Sequence, residues 1–226
     1  MRTTTWSRVR ERVQALAFTG REHDALEARD RYGAEGRSLP LAAPLSEAEI
    51  AEVETQWGVS LPDDYRGFLL EVGAGGAGPG YGLNVLSRTA TGWAWDGDED
   101  QPRHVGLSSP FVTARERVRL LAEHEDQEPE RAEFATWEAF DAAYNEWRDA
   151  DDRLFDRFAD GAVCLSHEGC GHFHRLVVTG PERGSMWVDG FPAEGGFRPL
   201  GTSGERVGFA DWYLDWIATS EALSRT

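Results

Sequence analysis

The amino-acid sequence predicts an α+β domain: a mixed, largely antiparallel sheet with helices packed around it. Helical periodicities fill the first part of the chain, short strand-like runs separated by glycine turns fill residues 162–200, and a last helical stripe follows. Segregated helices and strands of this kind fold as helices covering one face of an antiparallel sheet, because alternation along each strand leaves one apolar face to bury. At 226 residues, with nine tryptophans, the chain is long enough for one sizeable core. Residues 1–40 read as an N-terminal helical extension. Residues 41–220 read as a single domain with an acidic helical insertion at about 96–160.

Trp6, Val9, Val13 and Leu16 share one helical face, after which residues 20–37 are polar and offer little to bury. Ser46-Glu47-Ala48-Glu49 has the form of a capping box and opens a helix whose face is Ile50, Val53 and Trp57; Gly58 ends it. Leu61-Pro62 starts the next helix, with Tyr65, Phe68, Leu69 and Val72 in phase and Asp63 and Asp64 favourably placed in its first turn. Residues 73–82 form a glycine-rich connection, and residues 83–86 read as a short strand. A long amphipathic helix runs from Trp137 through Phe140, Tyr144 and Trp147 to Phe158, with a break allowed near residues 149–152. Strands are expected at 162–165, 173–178, 186–188 and 197–200, before a closing helix that buries Phe209, Trp212, Tyr213, Trp216 and Ile217.

The formal charge is −17, which argues against a nucleic-acid or membrane partner and for a basic protein. All 23 basic residues are arginine, so the lysine of a P-loop, a Schiff base or a kinase strand is absent. No long apolar run or cleavable leader is evident, and two cysteines make no disulfide scaffold, so a cytoplasmic protein is expected. Between Glu123 and Asp160, 14 carboxylates face four arginines, and most of the excess charge sits there.

Several motifs invite chemistry and then lose it on geometry. Gly73, Gly75 and Gly78 fit a dinucleotide fingerprint by spacing, but they follow a helix and precede a strand, the reverse of what a pyrophosphate needs. Cys164, His167, Cys170, His172 and His174 could supply zinc ligands, yet they crowd one hairpin with Gly169-Cys170-Gly171 as its turn, so no metal is expected. His167-Glu168 lacks the second histidine at helical spacing, and Ser166 beside His167 points to the opposite strand face. No cofactor and no catalytic residue are expected. The stretch Trp93, Trp95, Asp96, Asp98, Glu99 and Asp100 pairs aromatic rings with carboxylates, the composition of a hot spot for a basic partner; core anchoring of both indoles is the competing reading.

The blocks Leu45-Ser46-Glu47 to Trp57, Leu61-Pro62-Asp63-Asp64-Tyr65-Arg66 and Phe68-Leu69-Leu70, with Gly75, Gly76 and Gly78, resemble the Smi/Knr type of the SUKH superfamily. The resemblance resumes at residues 169–171, 176–184 and 187–189 and ends at Phe209-Ala210-Asp211-Trp212-Tyr213. It implies a sheet with helices around it, a partner-binding surface and no catalytic set to carry over. Bacterial relatives of this kind resemble immunity proteins against polymorphic toxins, many of them nucleases or deaminases, and fungal relatives regulate cell-wall synthesis. The expected function is therefore a non-enzymatic immunity protein that neutralises a basic toxin domain. The alternatives are a regulatory adaptor without a toxin and a zinc-dependent enzyme built on the segment from Cys164 to His174.

Overall fold

A computed structural model describes residues 6–16, 40–96, 104–169, 171–190, 196–201 and 206–223. The expected polar stretch at 20–37, Asp98, Glu99, Asp100 and Cys170 lie outside them. In chain order the elements are α1 (Val9–Ala15), α2 (Glu47–Trp57), α3 (Asp63–Glu71), β1 (Leu86–Thr89), β2 (Gly92–Trp95), α4 (Ala114–Glu125), a 3-10 turn (Arg131–Glu133), α5 (Trp137–Phe158), β3 (Ala162–Gly169), β4 (His172–Val177), β5 (Met186–Gly190), β6 (Gly196–Pro199) and α6 (Phe209–Leu223). The fold is α+β. All strand pairs among the described residues are antiparallel, in a β1–β2 hairpin and a meander ordered β3-β4-β5-β6.

Local chemistry sets most boundaries. The Ser46 hydroxyl accepts from the Glu49 N–H at 3.3 Å while the Glu49 carboxylate accepts from the Ser46 N–H at 2.7 Å, so the capping box is complete. Gly58, at φ 64°, closes α2 in the left-handed conformation that a side chain would resist. Helix α5 runs unbroken for 22 residues from its Thr136 cap, since the run of aspartates at 149–152 contains neither glycine nor proline to interrupt it.

The main core lies between the meander and α1, α2, α3 and α6. Phe68 is fully buried and touches Tyr213 (4.8 Å), Phe209 (5.2 Å), Trp6 (5.6 Å) and Tyr65 (6.4 Å between centroids). Helix α1 is part of this core: Trp6, Val9 and Val13 are buried in it, and Arg12 forms a two-pronged ion pair with Glu221 of α6. A Cβ on Gly67 would stand 2.7 Å from the Trp6 indole, so a glycine in the middle of α3 is what admits that ring. Tyr213 and Ile217 are fully buried and Trp216 only partly so.

The glycine turn after α3 serves packing. A Cβ on Gly76 (φ 103°) would meet the Pro40 carbonyl oxygen at 2.1 Å, and the Tyr213 hydroxyl donates to the Ala77 carbonyl at 2.8 Å. The expected strand at 83–86 is displaced. Leu83 makes single bridges to Gly76 and Ser166, Asn84 donates to the Leu165 carbonyl, and a regular ladder begins only at Leu86, whose partner strand β2 holds both tryptophans of the Gly-Trp-Ala-Trp run. A segment shared between two neighbours makes isolated bridges in place of a ladder.

Candidate binding surface

Alternation along β2 sends Trp93 and Trp95 to the same face, and that face is inward. Trp93 is 5% exposed and donates to Glu52 of α2 at 3.1 Å; Trp95 is 1% exposed and donates to the Tyr65 hydroxyl at 3.0 Å. Trp95 also packs on Trp57 (6.0 Å) and His104 (4.7 Å). Core anchoring is therefore the fate of both indoles, and neither is an exposed anchor. Asp96, at the end of the strand, is exposed and accepts from the Val85 N–H at 3.3 Å.

The histidines and the described cysteine of the β3–β4 hairpin are dispersed. Cys164 is buried and its N–H donates to His104 Nε2 at 2.9 Å, His167 stacks on Phe173 at 4.6 Å, and His172 pairs across the hairpin with Gly169. Among the described residues no three His, Cys, Asp or Glu side chains are grouped as metal ligands would be. Ser166, His174 and Glu168 do approach one another, but Ser166 Oγ (3.2 Å) and Glu168 Oε1 (3.5 Å) both face Nδ1 of His174. A serine hydrolase needs serine and acid on opposite ring nitrogens, so this is no triad.

The stretch read from the sequence as an insertion has another character. Of the 22 residues of α5 only Phe158 is buried, and of the 12 of α4 only Arg117. Both lie at the insertion's root, where Arg117 holds the two ends together: Nε donates to Val112 O at 2.8 Å and Nη2 to Phe158 O at 2.7 Å. The guanidinium lies among Phe197 (3.9 Å), Phe111 (4.7 Å), Phe158 (4.8 Å) and Trp187 (5.3 Å), on the sheet face turned away from the main core. The clue in the sequence is an arginine in helical phase with Leu120, Leu121 and His124, a position that calls for burial.

Away from the root, rings line one side of α5. Trp137, Phe140, Tyr144 and Trp147 touch in succession at 5.9, 5.7 and 5.5 Å, and Trp147 stacks flat on His124 of α4 at 4.7 Å while donating to its carbonyl at 3.0 Å. Beyond Trp147 towards its N-terminus, α5 meets Phe134 and Arg131 of the short turn, leaving Trp137 62% and Tyr144 36% exposed. Glu138, Asp141, Glu146 and Asp149 stand exposed around them. Large rings open to water inside an acidic rim are the parts of a protein-binding hot spot.

A family model described as the SMI1 / KNR4 family (SUKH-1) matches residues 44–194. The chain belongs to this family. The SUKH-1 region takes in α2 through β5, with α4 and α5 inside it, while α1 and α6 flank it and complete its core. Two of its sequence blocks meet in space: Arg183, from the turn before β5, donates to the carbonyls of Ser60 and Leu61, tying the sheet to the start of α3. No curated protein and no solved structure matches the chain. Among the described residues no helix is long and apolar enough to cross a membrane.

Proposed function

We propose that this SUKH-1 protein is a non-enzymatic binding protein of the cytoplasm, an immunity protein that covers the functional surface of a basic toxin domain. The observation that carries the reading is the aromatic row of α5, held out from the body and bordered by carboxylates. Burying Trp137 and Tyr144 against a partner would supply the apolar centre of an interface. The excess of acids between residues 123 and 160 would steer a cationic partner, with association approaching about 10⁸ M⁻¹s⁻¹ at low salt.

The test uses the toxin encoded beside the gene. Trp137→Ala with Tyr144→Ala should weaken binding by about 2 kcal/mol or more, roughly thirtyfold, while the far-ultraviolet spectrum is kept. Neutralising Glu138, Asp141, Glu146 and Asp149 should slow association and flatten its salt dependence. A parallel variant neutralising Asp96, Asp98, Glu99 and Asp100 asks whether the β2 end shares the interface. Wild-type affinity in the aromatic variant, with slowed association only in that second charge variant, would move the interface there; a protein that neither binds nor protects against any adjacent toxin would leave the adaptor role instead.

A further inference from the structure

Among the described residues, the buried groups on the outer face of the meander carry more positive charge than negative. Arg175 of β4 and Asp189 of β5 pair there at 2.8 Å, and Arg117 of α4 approaches from the insertion's root. The three side chains are deeply buried, at 4% exposure for Arg117 and 7% each for Arg175 and Asp189. Arg117 uses two of its three nitrogens on backbone carbonyls and Arg175 uses Nε on Asp189, but among the described residues Nη1 of each arginine has no hydrogen-bond partner. Both guanidinium carbons lie against the Phe197 ring, at 3.9 and 5.9 Å, which places them within about 10 Å of each other.

Two unpaired donors and one unbalanced charge in one place ask for a specific kind of partner. Buried guanidinium N–H groups are ordinarily satisfied, and an uncompensated buried charge is costly. Ring faces around Arg117 attract the cation but accept no hydrogen bond in the plane of the fork. Water could accept from Nη1 without supplying charge. An oxyanion does both, since oxygens about 2.2–2.5 Å apart, each at a charge-assisted distance of about 2.8 Å, reach two donors up to about 8 Å apart. Burial draws Arg117 down to about 9, resisted by Asp189 and assisted by Arg175, so the group is still a cation at neutral pH.

We propose that Arg117 and Arg175 form a binding site for a small oxyanion, a carboxylate or phosphate group, received between their free Nη1 groups beside Phe197. An anion would enter from the β6 edge, where Phe197 is only partly covered and Arg198 and Pro199 are exposed. An anion there would bind the base of α4, the end of α5 and the sheet together, so occupancy would stiffen the root of the insertion. This inference is independent of the toxin-binding reading.

Thermal unfolding of the full chain in inorganic phosphate, in acetate and in chloride at matched ionic strength tests it. A chain of charge −17 gains from any salt through screening, so only a saturable rise over chloride reports a site. The expected result is such a rise in phosphate or acetate, the stronger of the two naming the group, with affinity at least tenfold weaker in Arg117→Lys, which keeps the charge but loses the fork. Arg175→Gln with Asp189→Asn removes one guanidinium without stranding its partner and should abolish the rise. Phosphorus NMR titration of the wild-type protein gives a readout that does not depend on either variant folding. Identical midpoints in all three salts with no titration shift, or a saturable effect of wild-type affinity in both variants, would overturn the site.

Discussion

Around Phe68 the rings of Trp6, Tyr65, Phe209 and Tyr213 close on one another inside the body, whereas along α5 the rings of Trp137, Phe140, Tyr144 and Trp147 stand in single file with water on one side. The first set is drawn from α3, α6 and the segment leading into α1, and excludes water all round. The second has the short turn and the tip of α4 as neighbours and carboxylates at its border. Aromatic content alone thus says little about role. What separates a core from a recognition surface is whether the neighbouring elements are long enough to cover the rings, and α4, at 12 residues against the 22 of α5, is not.

The largest effect should come from the enclosed set. Phe68→Ala leaves a cavity that rigid neighbours on α3, α6 and the segment before α1 cannot fill, so a loss of about 3–5 kcal/mol is expected in urea or thermal unfolding. A variant as stable as wild type would show that those rings are loosely packed.

A smaller effect is expected from acid, again in the body. His174 is buried under Trp212 at 4.9 Å and shares Nδ1 with Ser166 and Glu168. Burial lowers its pKa; Glu168 opposes the shift and Arg198 adds to it. A depressed histidine means that the unfolded chain takes up the proton first. Stability is therefore intact above the ordinary histidine pKa of about 6.5 and falls as pH drops through it towards the folded-state value, by at most about 1.4 kcal/mol per pH unit from this group. Unfolding between pH 7.5 and 5 should be less pH-dependent in His174→Gln than in wild type; parallel profiles would mean that the imidazole is hydrated.

The smallest effect should come from the open row. Trp137→Ala should change stability by no more than about 0.5 kcal/mol, since a ring 62% exposed leaves no cavity behind. A much larger loss would mean that the body or a second copy covers the row, and the contrast between the two regions would fail.

What the sequence revealed, and what it hid, follows from the range of the interactions involved. The capped start of α2, the Leu61-Pro62 opening of α3 and the stripe of α6 are decided by residues within two helical turns, and they stand where periodicity puts them. The tryptophans of β2 were harder. Alternation assigns both to one side, but only Tyr65 and Glu52, 30 and 41 residues away, decide that the side is inward. Arg117 was half hidden for a similar reason: its phase with Leu120 and Leu121 hints at burial, but the cage that receives it combines Phe111, Phe158, Trp187 and Phe197 from distant parts of the chain. The aromatic side of α5 was legible as a stripe, while its exposure depended on the shortness of α4.

The small buried cluster around Arg117, where α4 and α5 meet the sheet, makes α5 a lever. Twenty-one helical steps separate Phe158 from Trp137, a span of about 31 Å at helical rise, so a tilt of roughly 10° at the guanidinium would sweep Trp137 through about 5 Å. Small changes in how Phe111, Trp187 and Phe197 seat Arg117 are thereby magnified at the far tip. Substitutions on the sheet's outer face could re-aim the row of rings without altering any residue in it.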